Sequence, residues 1–429
     1  MRCTSSVRLA LLPLVAAALL AASCGTADNA AVPAGSAAVT GSSAAPSAGS
    51  SASSAADSSS GAAPSRSAGA GGATTVKVQI TDAAGCAVTP SSVAAGPVTF
   101  DITNVDATAV TEVHLMQGDR IRGERENLAP GFENTFSMTL DGGSYEVYCP
   151  GTPAEIQPFT VTGKAAEVGG DVGDLLQAAT VDYSEYVSAQ AGFLVEGTGA
   201  LAAAVKSGDL AKSQQAYAKV RPFFERIEPV AESFGDLDPD IDAREGDVPA
   251  KDWKGFHPIE QALFTQKSVA KAQPYVADLV ANVAKLQQLT SDLETGTKAG
   301  KGNGYQPDEV ANGAASLLEE VQKTKITGEE ERYSHIDLVD FAANVEGSQQ
   351  AFAALQPALD EIDPSIADPI AAKFTALITL LDTHQDAAAL GGYTLYGDLT
   401  KDEIRKLAAA LLAVQEPLSQ LSAKVAAAG

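Results

Sequence analysis

The chain has 429 residues and a formal net charge of −25, from 54 acidic against 29 basic residues. A field of that sign repels nucleic acid and anionic lipid and draws cations to the surface, and no basic cluster reverses it locally. With only 4 histidines and 4 cysteines, a centre built from nitrogen or sulfur donors has few places to stand.

The chain opens with Arg2 and Arg8, then an apolar run from Leu9 to Ala22. This is a basic n-region followed by an h-region too short to span a bilayer comfortably. The run ends in Leu20-Ala21-Ala22-Ser23-Cys24, which resembles a bacterial lipoprotein cleavage box. Residues 1–23 are then a signal peptide, and Cys24 is the lipid-bearing residue that anchors an extracytoplasmic protein to the cell membrane. The box departs from its pattern at Ala21, where a large aliphatic residue is usual, and a secreted chain cut nearby is the alternative. Residues 24–73 are almost wholly Ala, Ser, Gly and Pro. They carry no periodic apolar positions, cannot bury a core and read as a tether.

Residues 74–165 alternate with period two, as in Thr75–Ile80, Val98–Ile102 and Ser144–Cys149, with Gly and Pro turns between. This pattern predicts a small β-sandwich. Glu112, His114 and Met116 fall on one face of a strand, and Cys149 closes another. With Cys3 and Cys24 set aside, Cys86 is the other cysteine. A thiolate, a carboxylate and an imidazole brought together bind copper or iron, whereas a Cys86–Cys149 disulfide suits an exported sandwich equally. A blue-copper centre is excluded, because it needs two histidines and this region holds one.

Residues 170–429 change to helical periodicity. Predicted helices run over Leu175–Val205, Leu210–Phe234, Ile259–Phe264, Tyr275–Leu293, Val310–Val321, Leu338–Leu355, Ile370–Leu381 and Ile404–Leu421, enough for one or two bundles. Within them Gly255-Phe256-His257-Pro258-Ile259-Glu260 sets an imidazole three residues before a carboxylate. Positions i and i+3 share a helix face, so both side chains can meet one ion. Glu225 and Glu228 repeat the spacing upstream, bracketed by Pro222 and Pro229, and Asp242 lies between the two pairs. Oxygen donors with one nitrogen favour iron, with zinc and copper as competitors. The plain alternative is a solvated acidic face with His257 as a helix cap. Pro258 most simply starts a helix, which would put His257 at its N-cap and leave a face shared with Glu260 unsecured by the spacing. The Glu330–Asp337 stretch either adds a ligand or is structural, with Arg332 paired to a nearby acid.

Taken together, Arg221–Pro229, Ser233–Pro239, Ile241–Glu245, Gly255–Glu260 and Tyr333–Leu338, with Glu112, Glu124–Gly131 and Tyr148–Gly151 earlier, resemble the EfeO family. The resemblance covers nearly everything after the tether. It implies an N-terminal cupredoxin-like β-sandwich followed by an all-α imelysin-like (peptidase-related) helical bundle. It implies a non-enzymatic protein that captures iron for a membrane ferric permease, beside a haem-peroxidase-like partner that oxidises Fe(II). His257 and Glu260 match the family's His-x-x-Glu metal motif, with Glu225, Glu228 and Asp242 as neighbouring ligands. Cys86, Glu112 and Cys149 match its copper or iron site in the first domain. Pro258 departs from the helix-friendly residue expected there. Relatives of the helical fold also resemble binders of alginate-like anionic polymers, a reading the acidic charge opposes. A metallopeptidase is disfavoured, since no His-Glu-x-x-His is present.

Overall fold

The computed structural model describes residues 73–428 except 111, 119, 127, 167 and 168. The expected signal peptide, the anchor Cys24 and the tether lie outside the described residues. Nine strands come first: β1 (Thr74–Thr81), β2 (Gly85–Thr89), β3 (Ser92–Ala94), β4 (Gly96–Asn104), β5 (Val113–Gln117), β6 (Arg120–Arg125), β7 (Glu133–Leu140), β8 (Gly143–Tyr148) and β9 (Ile156–Thr162). They form one sheet of order β2-β1-β4-β7 and another of order β3-β9-β8-β5-β6. The first includes a parallel β1–β4 pair that sets Val76 beside Phe100. Alternation sends Val76, Val78, Phe100, Phe136, Leu115, Val147 and Phe159 into one apolar core. The ring of Phe100 stacks on Phe136, centroids 4.8 Å apart.

Cys86 in β2 and Cys149 after β8 are joined by a disulfide, with Cα atoms 6.2 Å apart. This corrects the expected metal ligation by Cys86 and Cys149 together with Glu112, because two sulfurs bonded to each other are not thiolate donors. Glu112 stands beside His114 instead, its Oε2 3.6 Å from Nε2, with Glu124 Oε2 3.4 Å away on the other strand of the β5–β6 pair.

Ten helices follow: α1 (Gly170–Ser207), α2 (Leu210–Glu225), α3 (Leu237–Asp242), α4 (Phe256–Glu260), α5 (Val269–Lys298), α6 (Pro307–Lys323), α7 (Asp337–Ile362), α8 (Ala367–Asp382), α9 (Lys401–Leu418) and α10 (Leu421–Ala427). The long helices α1, α2, α5, α6 and α7 pack around a core holding Tyr183, Leu194, Phe224, Leu286, Leu318 and Phe352. The expected helix Leu210–Phe234 divides: α2 stops at Glu225 and a 3₁₀ turn covers Glu228–Phe234. Pro229 accounts for the break, since it cannot donate the backbone bond to Glu225 that a straight continuation needs, whereas α2 runs on past Pro222.

The sheets and helices meet along β6 and α6. Arg120 and Arg122 both reach Glu309, Arg125 donates to Asn312 Oδ1 (2.9 Å) and Ser316 Oγ (2.6 Å), and the Thr139 amide donates to Asp308. Asp308 and Glu309 occupy the first turn of α6, the end where the helix dipole favours negative charge.

Candidate metal centre

Gly255 sets the geometry of the site. Its φ of 90° lies in the left-handed half of the map, and a Cβ there would sit 2.1 Å from the carbonyl oxygen of Ile241. Only glycine allows that approach, and it brings the start of α4 against the end of α3. Phe256, His257 and Pro258 are the first three residues of α4. The first turn of a helix has no intrahelical use for its N–H groups, so Pro258 costs nothing there. The expectation of an N-cap His257 is therefore corrected: His257 and Glu260 share a face, with Nδ1 3.3 Å from Glu260 Oε2. A π-helical turn, Gln261–Thr265, continues directly from Glu260.

Glu260 is fixed from behind. Its Oε1 accepts the amides of Tyr333 (2.7 Å) and Ser334 (2.6 Å). The backbone that delivers them turns sharply at His335, whose φ is 62°. The His335 side chain is exposed. With Nδ1–H donated to Glu260, the other nitrogen of His257 is left to a further partner.

That nitrogen, Nε2, is buried and has no hydrogen-bond partner. It lies 3.5 Å from Asp242 Oδ1 and 3.6 Å from Glu330 Oε1. Two donors each about 2.1 Å from a shared ion, at a near-tetrahedral angle, stand about 3.4 Å apart. The separations suit a shared ion and, without one, ion pairs to a protonated imidazole. Asp242, His257 and Glu330 form one grouping able to hold a metal, and His257, Glu260 and Glu331 form another that shares the same imidazole.

Of the residues expected from sequence, His257, Glu260 and Asp242 come together here. Glu225 and Glu228 sit in the adjoining part of the same buried cluster, already engaged. Glu225 accepts from Arg221, from Lys325 Nζ (3.0 Å) and from Asn344 Nδ2 (3.0 Å). Glu228 accepts from Lys325 Nζ (2.8 Å to each oxygen) and Asn344 Nδ2 (2.6 Å). Arg221 is fully buried and pairs with Glu225, Asp242, Asp340 (2.9 Å) and Glu331 (3.0 Å), its guanidinium 4.9 Å from the Phe256 ring centre. Tyr217 Oη donates to Glu331 at 2.7 Å.

Electrostatics follow from this crowding. Burial pulls the His257 pKa down, but Glu260, Glu330 and Asp242 outweigh it and push it up to about 10. Burial pushes Glu225 up, yet Arg221 and Lys325 hold it below the ordinary carboxylate range. Burial raises Asp242, with Arg221 opposing incompletely, and it raises Glu228 strongly despite Lys325. Glu330 is held well below its usual value, since Lys325, His257 and Arg244 together overcome the burial that would raise it. The cluster thus holds more carboxylates than its own cations satisfy, a state that favours an added cation.

Sequence reasoning left out Lys325, Asp340 and Asn344, gave Arg221 no role in the site, and named Glu330 and Glu331 only as part of an ambiguous acidic stretch. Arg221 stood four residues before Glu225, a helical-neighbour spacing that signals an ion pair. Nothing in the sequence marks Lys325 or Asp340, whose roles exist only once α7 packs on α2 and the turn after α6 is brought beside them.

Residues 179–421 match the imelysin family (peptidase M75). The iron uptake system component EfeO of Escherichia coli (strain K12) is 36% identical over 360 residues, covering 82% of this chain and 92% of that protein. The EfeO of Shigella flexneri is similar to the same extent. A solved structure from Parabacteroides distasonis is similar with a TM-score of 0.46 and 17% identity, covering 60% of this chain and 96% of that one, too remote a likeness to carry an argument.

Proposed function

The chain belongs to the EfeO family of iron-uptake system components, and from that premise we propose that the centre at His257 binds the iron ion that the system transports. The observation that carries the reading is the buried Nε2 of His257, without a hydrogen-bond partner and facing two carboxylates, Asp242 and Glu330, at 3.5–3.6 Å. Iron is the cargo, held by His257, Asp242 and Glu330. Glu260 orients the imidazole through Nδ1, and Glu225 and Glu228 supply field from the adjoining network. On binding, His257 gives up its proton and the ion takes over the role of balancing the two carboxylates.

In this reading, residues 1–23 direct export, Cys24 carries the lipid anchor and residues 24–73 tether the folded part outside the cytoplasm. Residues 74–165 form a cupredoxin-like domain and residues 170–429 the imelysin-like domain. The partners are a membrane ferric permease that receives the ion and a haem-peroxidase-like protein that supplies it. With Cys86 and Cys149 in a disulfide, copper ligation by that pair is not part of the proposal. Binding of an anionic polymer is opposed by the net charge of −25.

The test is calorimetric titration of Fe(II), without oxygen, and of Fe(III)-citrate in air, into the intact chain and its His257→Ala and Asp242→Asn variants. Removing one of few ligands is expected to weaken binding by two orders of magnitude or more. Unchanged affinity in a folded His257→Ala protein would sink the assignment.

A further inference from the structure

Lys325 is the only buried lysine among the described residues. It stands in a short 3₁₀ turn, Lys325–Thr327, between α6 and the segment bearing Glu330. Its Nζ lies 3.0 Å from Glu225 Oε2, 2.8 Å from each oxygen of Glu228 and 3.8 Å from Glu330 Oε1. Asn344 Nδ2 grips the same two carboxylates, while Asn344 Oδ1 is buried without a partner. A lysine carries substantial side-chain entropy, so its full burial here needs all of these contacts.

We propose that Lys325 is a tethered cation filling an oxygen-lined niche that would otherwise take a calcium-like ion, leaving the neighbouring imidazole-bearing centre as the one open to metal. The donors are of the right kind: a carboxylate able to bind through both oxygens, a second carboxylate and a side-chain amide that offers its oxygen if turned over. The distances are of the right size. Ammonium-to-oxygen separations of 2.8–3.0 Å need to shorten by about half an ångström to suit calcium at roughly 2.3–2.6 Å.

Glu330 makes the niche matter to its neighbour. The same Oε1 lies 3.8 Å from Lys325 Nζ and 3.6 Å from His257 Nε2, so a mobile ion in the niche would compete for a ligand of the iron centre. A cation fixed by a covalent stem cannot be exchanged for one from solution. An oxygen-only site would take abundant hard ions, whereas the open centre contains a nitrogen donor and favours transition metals. The inference rests on the iron reading only for the identity of the ion at His257, and titration with calcium alone reads the niche separately.

The experiment uses the intact chain and CaCl₂ as the only metal, followed by calorimetry and circular dichroism. The wild type is expected to bind no calcium up to about 1 mM, the weak end of extracellular calcium sites. Lys325→Met is expected to bind one ion more tightly than that, and adding Glu228→Gln to it should weaken binding at least tenfold. If Lys325→Met is unfolded alone, refolding on addition of calcium supports the proposal equally. A Lys325→Met protein that neither binds calcium nor is refolded by it overturns the proposal, as does a wild type that binds calcium as tightly as the variant.

Discussion

Iron binding at this centre is expected to release a proton from His257, and the size of the effect follows from its surroundings. The imidazole is pushed up to about 10 by Glu260, Glu330 and Asp242, against burial that acts the other way. At pH 7 it therefore sits about 3 units below its pKa, and removing its proton costs about 4 kcal/mol that the metal must offset. Affinity for Fe(II) should rise about tenfold per pH unit between pH 6 and 8, the slope expected when one proton leaves for each ion bound. Asp242, raised by burial, adds to the release toward the acid end. The sign for stability is the opposite. A histidine whose folded pKa exceeds its unfolded value of about 6.5 stabilises the metal-free fold fully below that value. The contribution is lost as the pH rises through about 10, so the metal-free chain should weaken between pH 7 and 10. Calorimetry in two buffers of different ionisation enthalpy counts the protons directly. A flat pH profile with no proton released at pH 7 would refute the reasoning, since the ion would then not displace the His257 proton.

Two further perturbations separate orientation from support. Glu260→Gln keeps the volume and one acceptor but removes the charge that holds Nδ1–H, and such changes behind a metal ligand typically weaken binding about 10–100-fold; thermal unfolding close to wild type with unweakened Fe(II) binding would count against the orienting role. Arg221→Met leaves Glu225, Asp242, Glu331 and Asp340 without their shared counter-charge, which should destabilise the chain by about 3–5 kcal/mol. Denaturant unfolding measures that loss, and a stability within about 1 kcal/mol of wild type would show that other groups neutralise the cluster.

How much of this was legible beforehand depended on the range of the interactions. The switch from period two to helical period is local, and the strands and most helices were readable from it. His257 and Glu260 were readable as a pair because their spacing lies within one helical turn. Pro258 misled, because whether a proline starts a helix or sits deeper in its first turn depends on Gly255, whose backbone is set by contact with Ile241. Leu210–Phe234 read as one helix because its apolar positions keep the period across Pro222, and propensity alone does not say where a helix yields. The cysteines left disulfide and ligand open, since the choice depends on where β2 and the end of β8 come to lie. Lys325, Asp340 and Asn344 were illegible for a stronger reason: a buried charge or amide looks like a surface one until its partners are known, and theirs lie about a hundred residues away in sequence.

The seam between β6 and α6 has a mechanical consequence. Helix α6 is 17 residues long, a rod of about 25 Å. Its first turn is clamped by Arg120 and Arg122 through Glu309, and its far end runs through Thr324 directly into Lys325 and the Glu330 segment. A displacement of the sheets would pass along this stiff strut toward Lys325 and Glu330, the latter one of the carboxylates facing His257. The two sheets are thereby joined through one helix to a carboxylate beside His257, with no strand residue among the cluster's own contacts.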